Sequence, residues 1–363
     1  MKIQIGKVKI GGGAPVTVQS MTKTPTRNAK ATIKQILELE KIGCDIIRTA
    51  VPDMEAARAL RSIRKAIHIP LIADIHFDHR LALAAIDAGV DGLRINPGNI
   101  GSIAKVKEIV KAASGKNLPI RVGVNSGSLE KNILAKYGSP SAKALVESAL
   151  KNVKLLEDLG QKAIKISVKA SDVLRTIEAY RLLSKRTNWP LHLGVTEAGT
   201  LLFGAIRSSV AMGILLAEGI GDTIRVSLAD TPINEVLAGR EILRSLCLRL
   251  GGPKVIVCPT CGRTQMDVVK LAKAIEKELE KLQKKNNQTA NWPTVAVMGC
   301  VVNGPGEARE ADIAIICGKD RVYLYLGGTR AASLDAKAAP KIVAEEVMKF
   351  ISKRRANMKP VKY

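Results

Sequence analysis

The sequence predicts an α/β protein, a (β/α)8 TIM barrel followed by a smaller α/β domain, and three observations carry that expectation. Eight short β-rich runs alternate with longer amphipathic helical patterns over about the first 250 of 363 residues. At Gly251, Gly252 and Pro253 the last helical pattern breaks and a new β-rich run begins. No G-x-G-x-x-G follows the first run, so an open dinucleotide-binding sheet has no positive support. Eight strand–helix units at this spacing suit a closed barrel. The expected domains are therefore 1–250 and 251–363.

In chain order the expected strands are "VTVQSM" (16–21), "DIIRTAV" (45–51), "PLIADIH" (70–76), "GLRINPG" (92–98), "PIRVGVNSG" (119–127), "AIKISVKAS" (163–171), "LHLGVTEAG" (191–199) and "TIRVSLAD" (223–230). Between them lie "ATIKQILELEKIG", "MEAARALRSIRKA", "HRLALAAIDAG" and "INEVLAGREILRSLCLRL", several of which end in the Gly expected just past a helix C-terminus. Beyond the break, the reading is a strand ending at Cys258, a helix over about 264–285 and a polar linker. Then come the strand "TVAVMGC", a hairpin of "ADIAIICG" with "RVYLYLGG", and a last helix over about 339–353.

Hydrophobic residues make up 46%, and no run of about eighteen apolar residues occurs. The start, "MKIQIGKVKIGGG", lacks the apolar block of a signal peptide, so a cytoplasmic protein away from the membrane is expected. Six cysteines, three of them in motif-like spacing, suit metal binding in a reducing compartment better than a disulfide framework. Cys44 and Cys247 lie in helical patterns and read as small core residues. The net charge of +24 implies an anionic partner. Aromatic content of only 3% weighs against single-stranded nucleic acid, which is usually held by stacking.

Barrel active sites lie at the C-terminal ends of the strands. Polar residues collect there: Gln19 and Ser20; Arg48; Asp74 and His76; Arg94 and Asn96; Arg121, Asn125 and Ser126; Lys165, Ser167 and Lys169; His192, Thr196 and Glu197; Arg225, Ser227 and Asp230. Arg48, Arg94, Arg121, Lys169 and Arg225 would converge from five strands on one mouth. A diphosphate needs that many cations and a neutral substrate does not. The plainer reading pairs some of them with Asp74, Glu197 or Asp230.

In the second domain, "VIVCPTCGRTQ" (255–265) and "VAVMGCVVNGPGEA" (295–308) present Cys258, Cys261 and Cys300 at strand ends. No histidine follows His192 to complete a zinc site, although Cys317 in "AIICG" could serve as the fourth thiolate of an all-cysteine zinc site. The residues alone leave a structural metal and a redox centre both open.

The stretches "CPTCGR", "MGCVVNGPGEA", "VGVNSGSL", "LGVTEAGT" and "GIGDTIRVSL" resemble the bacterial 4-hydroxy-3-methylbut-2-enyl diphosphate synthases of the methylerythritol phosphate route. The likeness runs from "VQSMT" past Glu307. It implies a 4Fe–4S cluster held by Cys258, Cys261, Cys300 and Glu307, the carboxylate leaving one iron open to a substrate oxygen. The implied reaction is reductive ring opening and dehydration of 2-C-methyl-D-erythritol 2,4-cyclodiphosphate, with electrons from reduced ferredoxin or flavodoxin. It implies that Arg48, Arg94, Arg121, Lys169 and Arg225 hold diphosphate, aided by Asn125 and Ser227. Asp74, His76 and Asn96 would shape the pocket, Asn303 would reach the substrate, and Glu197, beside Thr196, would deliver a proton. For His192, core packing is an equal reading. The family works as a head-to-tail homodimer in which one subunit's cluster covers the other's barrel. Acidic donor proteins would give the excess positive charge a second use.

Two other classes remain at this point. An RNA-binding protein with a zinc knuckle would use the charge and the C-x2-C, but not eight polar strand ends. A barrel enzyme of another kind, such as a pterin-dependent transferase with structural zinc, would use the mouth but not the thiols.

Overall fold

The chain begins with an antiparallel hairpin, β1 (Lys2–Ile5) and β2 (Val8–Gly11), whose two-residue turn needs Gly6 at a φ of 54°. Its Ile3, Ile5 and Ile10 cluster with Ile46 and Ile72 and pack against Ala163 and Trp189, residues just ahead of two barrel strands. The hairpin therefore plugs the N-terminal end of the barrel. The sequence pattern gave no expectation of it.

Eight parallel strands follow: β3 (Thr17–Met21), β4 (Ile46–Ala50), β5 (Leu71–Asp74), β6 (Gly92–Ile95), β7 (Ile120–Asn125), β8 (Ile164–Lys169), β9 (His192–Leu193) and β10 (Thr223–Ile224). Their order is β8-β7-β6-β5-β4-β3-β10-β9, and a parallel bridge from Ile166 to Leu191 brings the two ends together. That single bridge is reinforced by Tyr180, whose hydroxyl accepts from Val168 N at 3.3 Å and donates to His192 O at 2.5 Å. The expected barrel is present, with its last two strands cut to two residues each.

The helices of this unit are α1 (Ala29–Lys41), α2 (Met54–Ala66), α3 (His79–Ala88), α4 (Ile103–Gly115), α5 (Lys131–Tyr137), α6 (Ala142–Asp158), α7 (Val173–Ser184), α8 (Leu201–Ala217) and α9 (Pro232–Ser245). Most start on a side chain that caps a backbone N–H: Asn28, Asp53, Asp78, Ser102, Ser141, Asp172 and Thr231. The helix α9 stops at Ser245, so Cys247 lies outside it, exposed, at a φ of 55°. That corrects its reading as a core residue; the apolar run "LCLRL" looked helical because periodicity does not register a left-handed exit. Cys44 is buried as expected, but after α1 rather than within it.

Contacts divide the chain into Met1–Arg249 and Leu250–Tyr363. The computed structural model describes residues 1–249, 251–252, 254–285, 292–302 and 304–357. The second unit carries β11 (Lys254–Val257), α10 (Val268–Lys285), β12 (Thr294–Met298), α11 (Gly304–Glu307), β13 (Ile313–Cys317), β14 (Val322–Leu326), β15 (Thr329–Leu334) and α12 (Ala339–Asn357). Strands β11, β12 and β13 are parallel, and β13-β14-β15 is an antiparallel meander. The hairpin at 313–326 was expected, and β15 was not. The long helix begins at Val268 rather than near 264, because Cys261 to Asp267 form the loop and the Asp267 cap.

Candidate functional site

Alternation along the barrel strands sorts their residues by face. Val18, Ile47, Leu71, Ala73, Leu93, Val122 and Ile166 belong to the core shared with the helices. Their neighbours Arg48, Asp74, Arg94, Arg121, Lys165 and Lys169 point into the barrel, and all are buried. Asp74 is the counter-ion, with Oδ2 3.4 Å from Arg48 Nε and Oδ1 3.1 Å from Arg94 Nη1. Arg94 Nη1 also donates to His76 Nε2 at 2.7 Å, and Arg94 Nη2 to Gly123 O at 3.3 Å.

Two glycines clear room for these cations. A Cβ on Gly123 would stand 2.6 Å from Arg94 Nε, and one on Gly194 would stand 2.5 Å from Lys169 Nζ. Gly123 thus leaves room for the Arg94 side chain, and Gly194 is required sterically because a Cβ there would also stand 2.7 Å from Arg225 O.

Positive charge exceeds negative inside the barrel. Burial, then the neighbouring Arg121, Arg225, Arg48 and Arg94, push Lys169 well below the ordinary lysine range. Lys165 and Arg121 are pushed down in the same way, by burial first and nearby cations second, and Arg48 falls to about 10. Burial works against ionised Asp74, but Arg48, His76, Arg94 and Arg121 outweigh it and hold the carboxyl far below the carboxylate range. Several buried donors have no protein partner: Arg94 Nε, Arg121 Nε and Nη1, Lys165 Nζ, Arg225 Nε and Asn96 Nδ2. Leaving buried charged donors unmatched is expensive, and an anion at the mouth relieves the cost. The chemistry of this interior is that of buried cations whose donors could receive an anion.

The other expected residues distribute around it. Asn96 is buried, its Oδ1 accepting from Gly98 N at 3.2 Å, so only its amide nitrogen is left for the site. Asn125, Thr196 and Ser227 are half-buried at strand ends. Glu197 is exposed in a left-handed conformation, φ 53°, a strained backbone for a non-glycine residue. His192 lies at the first residue of β9, with Nδ1 2.7 Å from Thr223 Oγ1, and burial with surrounding cations keeps it neutral. It belongs to the core rather than to the mouth. Lys165 also sits near the start of its strand, deeper than Lys169.

Sequence reasoning missed Glu235, a buried carboxylate in the first turn of α9 whose Oε1 lies 3.5 Å from Arg225 Nη2. The signal available was an acid just after a Thr-Pro cap, which reads only as a favourable helix start.

In the second unit the cysteines sit at the C-terminal ends of adjacent parallel strands. Cys258 N donates to Val297 O at 2.9 Å, and a Cβ on Gly299 would stand 3.3 Å from Cys258 Sγ. Thr260 turns the Cys258–Cys261 loop with a φ of 68°, and Cys261 N donates to Thr264 Oγ1 at 3.0 Å. That same Thr264 oxygen is 3.3 Å from the Gly299 position, so the backbone gathers the loops of Cys258, Cys261 and Cys300 around one point. Their side chains are partly or fully exposed, as is Glu307 at the end of α11. Among the described residues no three or more His, Cys, Asp or Glu converge into a metal-holding group. Asn303 lies outside the described residues. Cys317 faces the core, fully buried, its thiol pushed up to about 11 by burial and by Cys258, which makes it a poor thiolate.

Two family models match the chain, the GcpE TIM-barrel domain over residues 1–240 and the GcpE protein C-terminal domain over 254–352. A 4-hydroxy-3-methylbut-2-en-1-yl diphosphate synthase (flavodoxin) of Clostridium acetobutylicum is 54% identical over 350 residues, 96% of this chain and 97% of its own. The protein so named from Lawsonia intracellularis is 53% identical, covering 97% of this chain and 96% of its own. The one from Symbiobacterium thermophilum is 51% identical, covering 98% and 94%.

Proposed function

The chain belongs to the GcpE family of enzymes, and on that premise we propose that it reductively opens 2-C-methyl-D-erythritol 2,4-cyclodiphosphate to 4-hydroxy-3-methylbut-2-enyl diphosphate. The C2–O bond to phosphate breaks, the C3 hydroxyl leaves as water, and a C2–C3 double bond forms. Two electrons enter and, with the released phosphate oxygen left ionised, one proton is consumed. The product therefore carries one more negative charge than the substrate on its diphosphate. Preorganised cations favour that change most where the new charge appears. The observation that carries the reading is the set of buried cations with unmatched donors, Arg121 foremost.

Arg48, Arg94, Arg121, Lys169 and Arg225 clamp the diphosphate, with Asn125, Ser227 and the Asn96 amide completing its hydrogen bonds. Asp74 and His76 hold Arg48 and Arg94 in place. Glu197, presented by its left-handed turn beside Thr196, delivers the proton to the departing hydroxyl. The donor set Cys258, Cys261, Cys300 and Glu307 fits a 4Fe–4S cluster, since the backbone gathers the three cysteine loops and Gly299 leaves space between them. When bound, that cluster supplies the electrons and an iron with affinity for oxygen. Cys317 faces the apolar core of the second unit, fully buried, which makes it a weak candidate for the fourth ligand of an all-cysteine zinc site. Reduced flavodoxin, the donor in the relatives' names, or ferredoxin would provide the electrons in the cytoplasm. The resemblance to the family assigns a head-to-tail homodimer as the working form, in which one subunit's cysteines serve the other's barrel.

Anaerobically purified protein tests this directly. It should contain iron and acid-labile sulfide and turn over the cyclodiphosphate with reduced flavodoxin. Arg121→Ala should weaken substrate binding by about 2–5 kcal/mol with iron content unchanged. A colourless zinc protein, or Arg121→Ala that binds the cyclodiphosphate normally, would sink the reading.

A further inference from the structure

Backbone pairing between β10 and β3 ends early. The ladder consists of Thr223 with Thr17 and Ile224 with Val18, whereas β3 runs on to Met21. The segment after Ile224 carries Arg225 and Ser227, yet no further rung holds it to β3. Glu235 occupies that gap. Its Oε2 accepts from Ser20 Oγ on β3 at 3.1 Å, and its Oε1 accepts from Leu228 N at 3.1 Å. Lys23, just beyond β3, brings Nζ to 3.4 Å from the same oxygen, and donates to Leu228 O at 2.7 Å and to Asp230 O. Arg225 Nη2 stands 3.5 Å from Oε1, leaving Arg225 Nε unmatched. One carboxylate, 1% exposed, thus joins both strand ends and meets a mouth cation.

We propose that Glu235 is a positioning residue for the diphosphate clamp: it replaces the missing rungs between β3 and β10 and aims Arg225 at the anion. The inference rests on the diphosphate reading above. A carboxylate with a purely structural role would stabilise the wall whether or not Arg225 were present. A positioning role makes the value of Arg225 depend on Glu235, because a guanidinium without its orienting partner must be ordered by the ligand itself.

The experiment is a double-mutant cycle with inorganic pyrophosphate as the probe, titrated calorimetrically into the full-length anaerobic holoenzyme. In the otherwise unchanged protein, Arg225→Ala should weaken pyrophosphate binding by about 30-fold or more. In a Glu235→Gln background, which keeps shape but removes charge, the same change should cost only about threefold. Equal factors in both backgrounds would overturn the positioning role and leave the diphosphate reading standing. Pyrophosphate that fails to bind the unmodified enzyme would overturn both together. Should Glu235→Gln fail to fold, Ser20→Ala releases one arm of the carboxylate and should show the same non-additivity with Arg225→Ala at smaller size; additivity there overturns the proposal equally.

Discussion

Lys165 and Lys169 show how a single residue's surroundings set its response to ligand. Burial and nearby cations hold both well below the ordinary lysine value of 10.5 in the ligand-free fold. A diphosphate would reverse the repulsion and raise both values, so binding should take up protons between the depressed values and 10.5. Affinity should fall as pH rises through that window. Stability without ligand has the opposite slope, since the unfolded chain binds more protons there and the fold gains stability as pH rises. Titrations in two buffers of different ionisation enthalpy should reveal the uptake, and Lys169→Met should reduce it. Heats independent of buffer would remove Lys169 from the clamp. Glu307 offers a second single-residue test. Glu307→Cys should retain iron, because thiolate ligates it well, and should nearly abolish turnover by closing the open position. Near-normal turnover with iron intact would show that the carboxylate merely ends α11.

At the scale of elements, the two shortest strands matter most. With two residues each, β9 and β10 pair only briefly, and side chains support them: Tyr180 donates to His192 O within β9, and Glu235 accepts from Leu228 N beyond β10. Gly194 follows β9 directly, and a Cβ there would meet Lys169 Nζ at 2.5 Å and Arg225 O at 2.7 Å. The ammonium can swing aside, but the carbonyl belongs to the wall and cannot. Gly194→Ala should therefore cost about 1–3 kcal/mol in denaturant unfolding and weaken substrate binding as well. Gly115→Ala, near the end of α4 with nothing within 4 Å of the added carbon, is the control and should be neutral or slightly stabilising. Equal behaviour of the two variants would mean that the wall at β9 and β10 yields.

For the whole molecule, the proposed function needs the cations of the first unit and the cysteines of the second to serve one reaction. The proposed head-to-tail homodimer predicts activity in trans. Mixing inactive Cys300→Ser with inactive Arg121→Ala subunits, through unfolding or co-expression, should restore about a quarter of normal turnover, since half the dimers are mixed and each has one intact site. Mixed dimers without any activity would require each site to form within a single chain.

The periodicity of eight runs and the charge on their alternate residues were enough to read the barrel and its cationic interior, because strand alternation and the closure of eight βα units follow from local pattern. Arg48, Arg94, Arg121 and Lys169 were legible for the same reason: each is a cation inside an otherwise apolar strand run. The cysteine spacing marked Cys258, Cys261 and Cys300 as candidate ligands, and the approach of their loops came only with the parallel register of β11 and β12. The N-terminal hairpin escaped because "KIQIGKVKIG" is short and has a strand's pattern but no visible partner; its place is decided by Ile46 and Ile72 across the barrel. Cys247 escaped because a helix end in the left-handed region leaves no mark on apolar spacing. Glu235 escaped because its role depends on Ser20, 215 positions away, and on where the β3–β10 ladder stops. Pattern within a segment is a local property, and the chain states it openly. Which side chain replaces a missing rung is a property of two strands meeting in space, and only the folded barrel decides it.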